Sequence, residues 1–281
     1  MTEVTRRTAP LPAASRGGPD PRSGEVWLPV VRVAAVALTV VVVAAGVLLV
    51  VCTFFQRQTT ETRPFAGAAI GAVQVGDDVG DVRVRVALPG EDPGVTARIT
   101  DAFDEGGWSA RLNGRTLVVS GACDRDGFWF FNCSVDLTLV VPAGIPVDVE
   151  SNTGDVTVDG AFSVVRAQTT TGDVLVRGVG GPVVIRTNTG DVRSLGTRAT
   201  AVTAESTTGD VRLVFDVPPR SVNTETTTGD VTVLVPDDGS VYGVATESTT
   251  GDEHVEVGNV AGSPNQIVAR TTTGDVRVGY R

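Results

Sequence analysis

Seven aspartates recur at one place in a repeated pattern, each closing a Thr-Gly-Asp triplet: Asp155, Asp173, Asp191, Asp210, Asp230, Asp252 and Asp275. If the segments carrying them stack in register, their carboxylates form a column about 5 Å apart. Like charges at that distance must be offset. Calcium would do so through oxygen ligands, which makes the seven aspartates candidate calcium ligands. Backbone N–H groups in a turn would do so without any cofactor. The glycine-rich nonapeptide of calcium-binding solenoids is missing here, so the turn reading takes precedence.

A second acidic group, Asp252, Glu253, His254 and Glu256, contains the only histidine of the chain. A site with several imidazole ligands is therefore excluded. Glu253 stands where the other repeats carry valine, which reads as a one-residue slip or bulge that turns Val255 and Val257 inward. Cys123 and Cys133 lie ten residues apart with no histidine near them. Two thiols alone do not make a zinc site, and a disulfide closing the loop is the economical reading in an oxidising compartment. For catalysis the chain has no lysine, no Gly-x-Ser-x-Gly, and aspartates that all occupy equivalent corners. Catalytic constellations break repeat symmetry, so no catalytic residue is assigned and no enzyme is expected.

The elements that must position these residues are legible from the repeat. The triplet glycines are 154, 172, 190, 209, 229, 251 and 274, spaced 18, 18, 19, 20, 22 and 23 residues apart. Seven residues before each stands Val or Ile, from Val147 to Ile267. Three before stands Ser or Thr: Ser151, Thr169, Thr187, Ser206, Thr226, Ser248 and Thr271. The position between alternates polar and apolar, the period-two mark of a strand with one buried face. Val follows Gly-Asp in six of the seven and opens a second short strand. The Ser/Thr position falls on the side of the buried Val, so an inward hydroxyl ladder is expected. Neither strand can bury its face alone, and stacking the repeats buries both. The fold expected is all-β: a parallel β-solenoid of about seven 18–23-residue coils over residues 143–281, with an N-terminal β cap at 70–142. A lone Gly80-Asp81-Val82 reads as a degenerate relative of the triplets. Further strands are expected at Asp81–Val86, Thr96–Thr100, Trp108–Leu112, Thr116–Ser120 and Val135–Val141. The C-terminal coil would leave an open edge, where self-association is conceivable.

Upstream, Val33 to Phe55 runs without a charge, long enough as a helix to cross a ~30 Å hydrocarbon core. It is too long, and its end too bulky, for a cleaved signal. One transmembrane helix is expected over 28–55, after a disordered tail at 1–27 and before a linker at 56–69. Five arginines precede it (Arg6, Arg7, Arg16, Arg22, Arg32), and only Arg57 and Arg63 follow within twenty residues. The positive-inside rule therefore puts the N-terminus in the cytoplasm and the C-terminal domain outside a plasma membrane. The chain carries −10 overall; residues 1–55 hold five Arg against Glu3, Asp20 and Glu25, which leaves −12 beyond them. An acidic soluble part is a poor match for nucleic acid.

The Thr-Gly-Asp-Val iterations, the preceding Val141–Val147 segment Val-Pro-Ala-Gly-Ile-Pro-Val, and the Cys123–Cys133 loop resemble the bacterial "putative adhesin" family, over roughly residues 70–281. The resemblance implies a membrane-anchored, surface-exposed β-solenoid. The function expected is non-catalytic: adhesion, or a scaffold outside the membrane that meets a protein or polysaccharide. The alternatives are a regulatory or envelope-stress component contacting a partner membrane protein, and a polysaccharide-active enzyme.

Overall fold

The computed structural model describes residues 27–54, 57–101, 106–123 and 133–281. The expected tail at 1–26 lies outside the described residues. The chain divides into two compact units, Met1–Phe54 and Phe55–Arg281.

In the first unit a helix runs Trp27–Phe54. Its side chains are described for residues 31–47, and all of them are exposed, Val33 at 69% and Leu38 at 66% among them. Among the described residues no helix is long and apolar enough to cross a membrane.

The second unit is all-β. Each coil has a longer strand before its Gly-Asp and a shorter one after it, as in Val164–Thr171 and Val174–Arg177. The longer strands make a sheet of ten and the shorter ones belong to a sheet of eleven. Within the stack the pairing is parallel and in register: Val165 meets Val183 and Ala167 meets Ile185. The Val, Ile and Ala columns of both sheets face each other and are buried, Val165, Ile185, Val174 and Val192 all at 0%. Loops of variable length close the other side, and some plug the core with larger groups, Phe162 and Tyr242 among them.

Chain order and stacking order differ at both ends. The spatial series runs through the coils of Gly80, Gly154, Gly172, Gly190, Gly209, Gly229, Gly274 and then Gly251. Gly80 therefore heads a full coil, Ala72–Val79 and Val82–Val86, paired in parallel with the Gly154 coil. That makes eight Gly-Asp coils where seven were expected, and residues 72–86 belong to the stack and not to the cap. Outside it lies the coil formed by Thr116–Cys123 and Ser134–Val141. At the other end the last coil in sequence slides between the Gly229 and Gly251 coils. The open edge expected at the C-terminus is thus occupied, and the sixth repeat is the outermost.

At the N-terminal end the parallel stack is closed by antiparallel strands, Gly94–Asp101 on Ser134–Val141 and Gly106–Asn113 on Thr116–Cys123. Arg57–Pro64, within the stretch expected to be a linker, adds a further antiparallel strand on Gly94–Asp101. Its residues are exposed on both faces, so it lacks the alternation that marks a half-buried strand. Its threonines suit a strand, and Trp108 pins it: the indole Nε1 donates to Glu61 Oε2 at 2.8 Å, and Arg63 lies 4.6 Å from the ring centroid.

Candidate functional site

The repeated corner holds every aspartate singled out above. Asp155, Asp173, Asp191, Asp210, Asp230, Asp275 and Asp252 stand in one column, in that order. Each Oδ1 except that of the outermost, Asp252, is used by its neighbour: the N–H of Asp173 donates to Asp155 at 2.8 Å, Asp191 to Asp173 at 2.8 Å, and Asp210 to Asp191 at 2.9 Å. The ladder continues through Asp230, Asp275 and Asp252. At the other end it runs back through Asp81 to Asp136. Backbone amides thus offset the carboxylate column. Arg193 adds a cation, bonding Asp191 Oδ2 at 2.6 Å and Asp173 Oδ2 at 3.3 Å. The single file leaves one oxygen per coil for any ion, whereas calcium takes six to eight oxygens. Among the described residues no three acidic, His or Cys side chains converge as a metal site.

The inward hydroxyls form the second column. Thr169 donates to Gly154 O, Thr187 to Gly172 O, Ser206 to Gly190 O and Thr226 to Gly209 O, at 3.1–3.3 Å. Thr271 and Ser248 do the same to Gly229 O and Gly274 O. Each bond ties one coil to the next and satisfies a carbonyl that the corner turns out of the ladder. Outside the corner, Thr170, Asn188, Thr207 and Thr227 form an exposed polar row on the longer-strand sheet.

The cluster around His254 is the end of the stack. Glu253 pairs in register with Val276, and Val255 with Val278, so there is no slip or bulge. Val255 stays exposed at 37%, and only Val257 turns inward, at 6%. Glu253 departs from valine because nothing stacks beyond it. Its carboxylate accepts the Ser248 N–H at 3.1 Å and the Thr246 hydroxyl. Asn259 similarly accepts the Val244 N–H at 3.1 Å. These side chains occupy the free edge of the outermost strand, a device that blocks edge-to-edge pairing. His254 Nε2 lies 2.9 Å from Glu256 Oε1, and Arg277 donates to Glu256 Oε2 at 3.1 Å. Both contacts hold the Glu256 carboxyl below its ordinary value.

Cys123 and Cys133 are joined as a disulfide with Cα atoms 6.0 Å apart, tying the two strands of the outer N-terminal coil.

One residue was missed from the sequence. Aligning Gly80 with the other corner glycines puts Asp77 in the inward hydroxyl column. Asp77 is 5% exposed, and neither carboxylate oxygen has a hydrogen-bond partner among the described residues. Burial, with Asp78 and Asp136 nearby, pushes its carboxyl up to about 7.

This geometry defines a two-sheet parallel β-solenoid closed at both ends and built around a repeated Thr-Gly-Asp corner. Residues 146–279 match the family described as Toastrack DUF4097. No curated protein matches the chain. Among solved structures the chain is similar to a "putative adhesin" from Bacteroides fragilis at 12% identity and a TM-score of 0.52, covering 79% of this chain and 97% of that one. It is also similar to a "putative cell adhesion protein" from Clostridium sporogenes, at 10% identity and TM-score 0.38 over 80% and 100% of the two chains. A "putative lipid binding protein" from Parabacteroides distasonis matches at 9% identity and TM-score 0.40, over 78% and 96%. The first of these likenesses bears on the fold alone.

Proposed function

We propose that the chain is a non-catalytic display module, held in a bacterial plasma membrane by the helix around Val33–Phe55, with residues 57–281 on the outer side. The observation that carries the reading is repetition without a singular site. Eight corners share one aspartate–amide ladder, and the departures at Glu253, Asn259 and the disulfide have structural roles: Glu253 and Asn259 close an edge, and the disulfide ties a coil. Such a surface suits adhesion or scaffolding, in which many weak contacts add up. The uncharged stretch Val33–Phe55 and the arginines before it support the anchor and its orientation. The adhesin name of the Bacteroides fragilis structure is compatible with the role.

Beads carrying the full chain in a supported bilayer, presented to intact bacterial cells that lack it, test this. Thr170→Ala, Thr207→Ala and Thr227→Ala should each change adhesion by less than about threefold, and the three together should lower it by about tenfold or more. A single one of them that abolishes adhesion would point to a unique site and overturn the reading.

A further inference from the structure

The inward hydroxyl bonds are not uniform along the whole stack: they stop at its N-terminal end, where the Ser151 hydroxyl of the Gly154 coil has no partner among the described residues and the Gly80 coil carries Asp77 instead. In six coils a Ser or Thr three residues before the corner glycine donates to the glycine carbonyl of the adjacent coil, as Thr187 does to Gly172 O at 3.2 Å. In the Gly80 coil that position is Asp77, and register fixes the matching acceptor. Val82 pairs with Leu137, so Gly80 sits over Val135. A Cβ built on Gly80 would meet Val135 O at 2.3 Å, just as one on Gly172 meets Gly154 O at 2.0 Å. A carboxylate cannot donate to a carbonyl; a neutral carboxylic acid can.

The surroundings favour the neutral form. On its own segment Asp77 faces Asp78 and Asp81, and from the strand Ser134–Val141 it faces Asp136; the Asp78 backbone N–H opposes them but is outweighed by burial and the neighbouring carboxylates. In register on Thr116–Cys123 stands Gly121, which has no charge to offer, and on Pro146–Thr153 stands Ser151. Gly121 leaves the space the carboxyl occupies: a Cβ there would lie 2.2 Å from Asp77 Oδ1. No cation faces the group among the described residues, and burial of an unpaired charge is costly. The Ser151 hydroxyl is buried and unpartnered as well, and it is the competing donor for an ionised Asp77.

We propose that Asp77 is a proton-operated latch between the Gly80 coil and the disulfide-tied outer coil, Thr116–Cys123 with Ser134–Val141. As the neutral acid it donates to Val135 O and ties the Gly80 coil to the outer coil. As the carboxylate it withdraws that bond and loosens the outer coil. A carboxyl held near 7 when folded, against 3.8 when unfolded, binds its proton more tightly in the folded state. Stability is therefore highest at low pH, falls as pH rises between these values, and levels off above the folded value.

Amide hydrogen exchange on the full chain in detergent micelles, corrected for intrinsic rates, reads this directly. The Leu137 amide, which bonds Asp81 O, should lose protection by about tenfold per pH unit between pH 5 and 7 and level off near pH 8. The Val192 amide in mid-stack should not follow. Asp77→Thr, which restores the residue of the other coils, should keep Leu137 protected at pH 8 and abolish the slope. Asp77→Asn, with a neutral donor, should abolish the slope too. Leu137 protection in the unaltered chain that is flat with pH, or that rises because Ser151 stabilises the ionised form, would overturn the proposal. So would a slope that survives in Asp77→Thr.

Discussion

Replacing Gly190 by alanine should unfold the middle of the solenoid, while the same change at Gly180 should be tolerated. Gly190 has φ of +143°, a conformation that L-residues rarely adopt and that costs ~1–3 kcal/mol. A Cβ there would stand 2.0 Å from Gly172 O and 2.5 Å from its carbon. Those are backbone atoms held between neighbouring coils, so the clash cannot be relieved by turning a side chain. The Gly172 carbonyl also accepts the Thr187 hydroxyl, and the Gly190 peptide accepts the Ser206 hydroxyl and donates its Asp191 N–H to Asp173, so displacing either breaks those contacts too. Strain and lost hydrogen bonds together make the expected cost on the order of 4 kcal/mol. At Gly180 an added Cβ meets nothing within 4 Å, and Gly180→Ala should change stability by less than about 1 kcal/mol. Denaturant unfolding of the purified chain and its two variants measures both. Equal effects would mean that the corner glycines are not held as described.

Deleting residues 266–281 should cost more than one coil. The strand Gln266–Thr273 pairs with Ser221–Thr228 on one side and with Gly243–Thr250 on the other. The segment buries Ile267, Ala269, Val276 and Val278 completely. At ~1.5–3 kcal/mol for each large aliphatic group, the loss is on the order of 5 kcal/mol before hydrogen bonds are counted. In a stack with nearest-neighbour coupling, the sixth repeat is then left without its support. Amide exchange should show residues 243–255 unprotected in the shortened chain, with the Gly154 to Gly209 coils still protected. If coils stacked in chain order, the sixth would keep its place on the fifth and stay protected.

The contrast shows what the sequence could carry. The corner glycines, the alternating Val and Ile, and the inward Ser and Thr repeat at matching places, so coil, turn and buried column were all readable. Stacking order was not. Each repeat presents nearly the same inner face and the same corner, so the pattern that defines a coil does not say which coil lies next to it. The signal lay in the exceptions. Glu253 replaces a buried valine because its coil is the last one in space, and a search for broken repeats would have placed the end there. Asp77 was hidden because Gly80-Asp81 lacks the preceding threonine, so its coil was not aligned with the others. Arg57–Pro64 has no hydrophobic face at all, and only its partner strand and Trp108 make it a strand.

The most direct measurement is the side of the membrane on which the β unit lies. Intact cells, stripped of any outer layer and carrying a C-terminal tag on the full chain, are treated with an impermeant protease. The account predicts that the tag and the β unit are cleaved away in intact cells, leaving a membrane-bound fragment that contains residues 27–54 and an N-terminal tail cut only after lysis. A β unit that resists protease until the membrane is broken, or one that leaves the membrane fraction uncut on washing with salt, would contradict it.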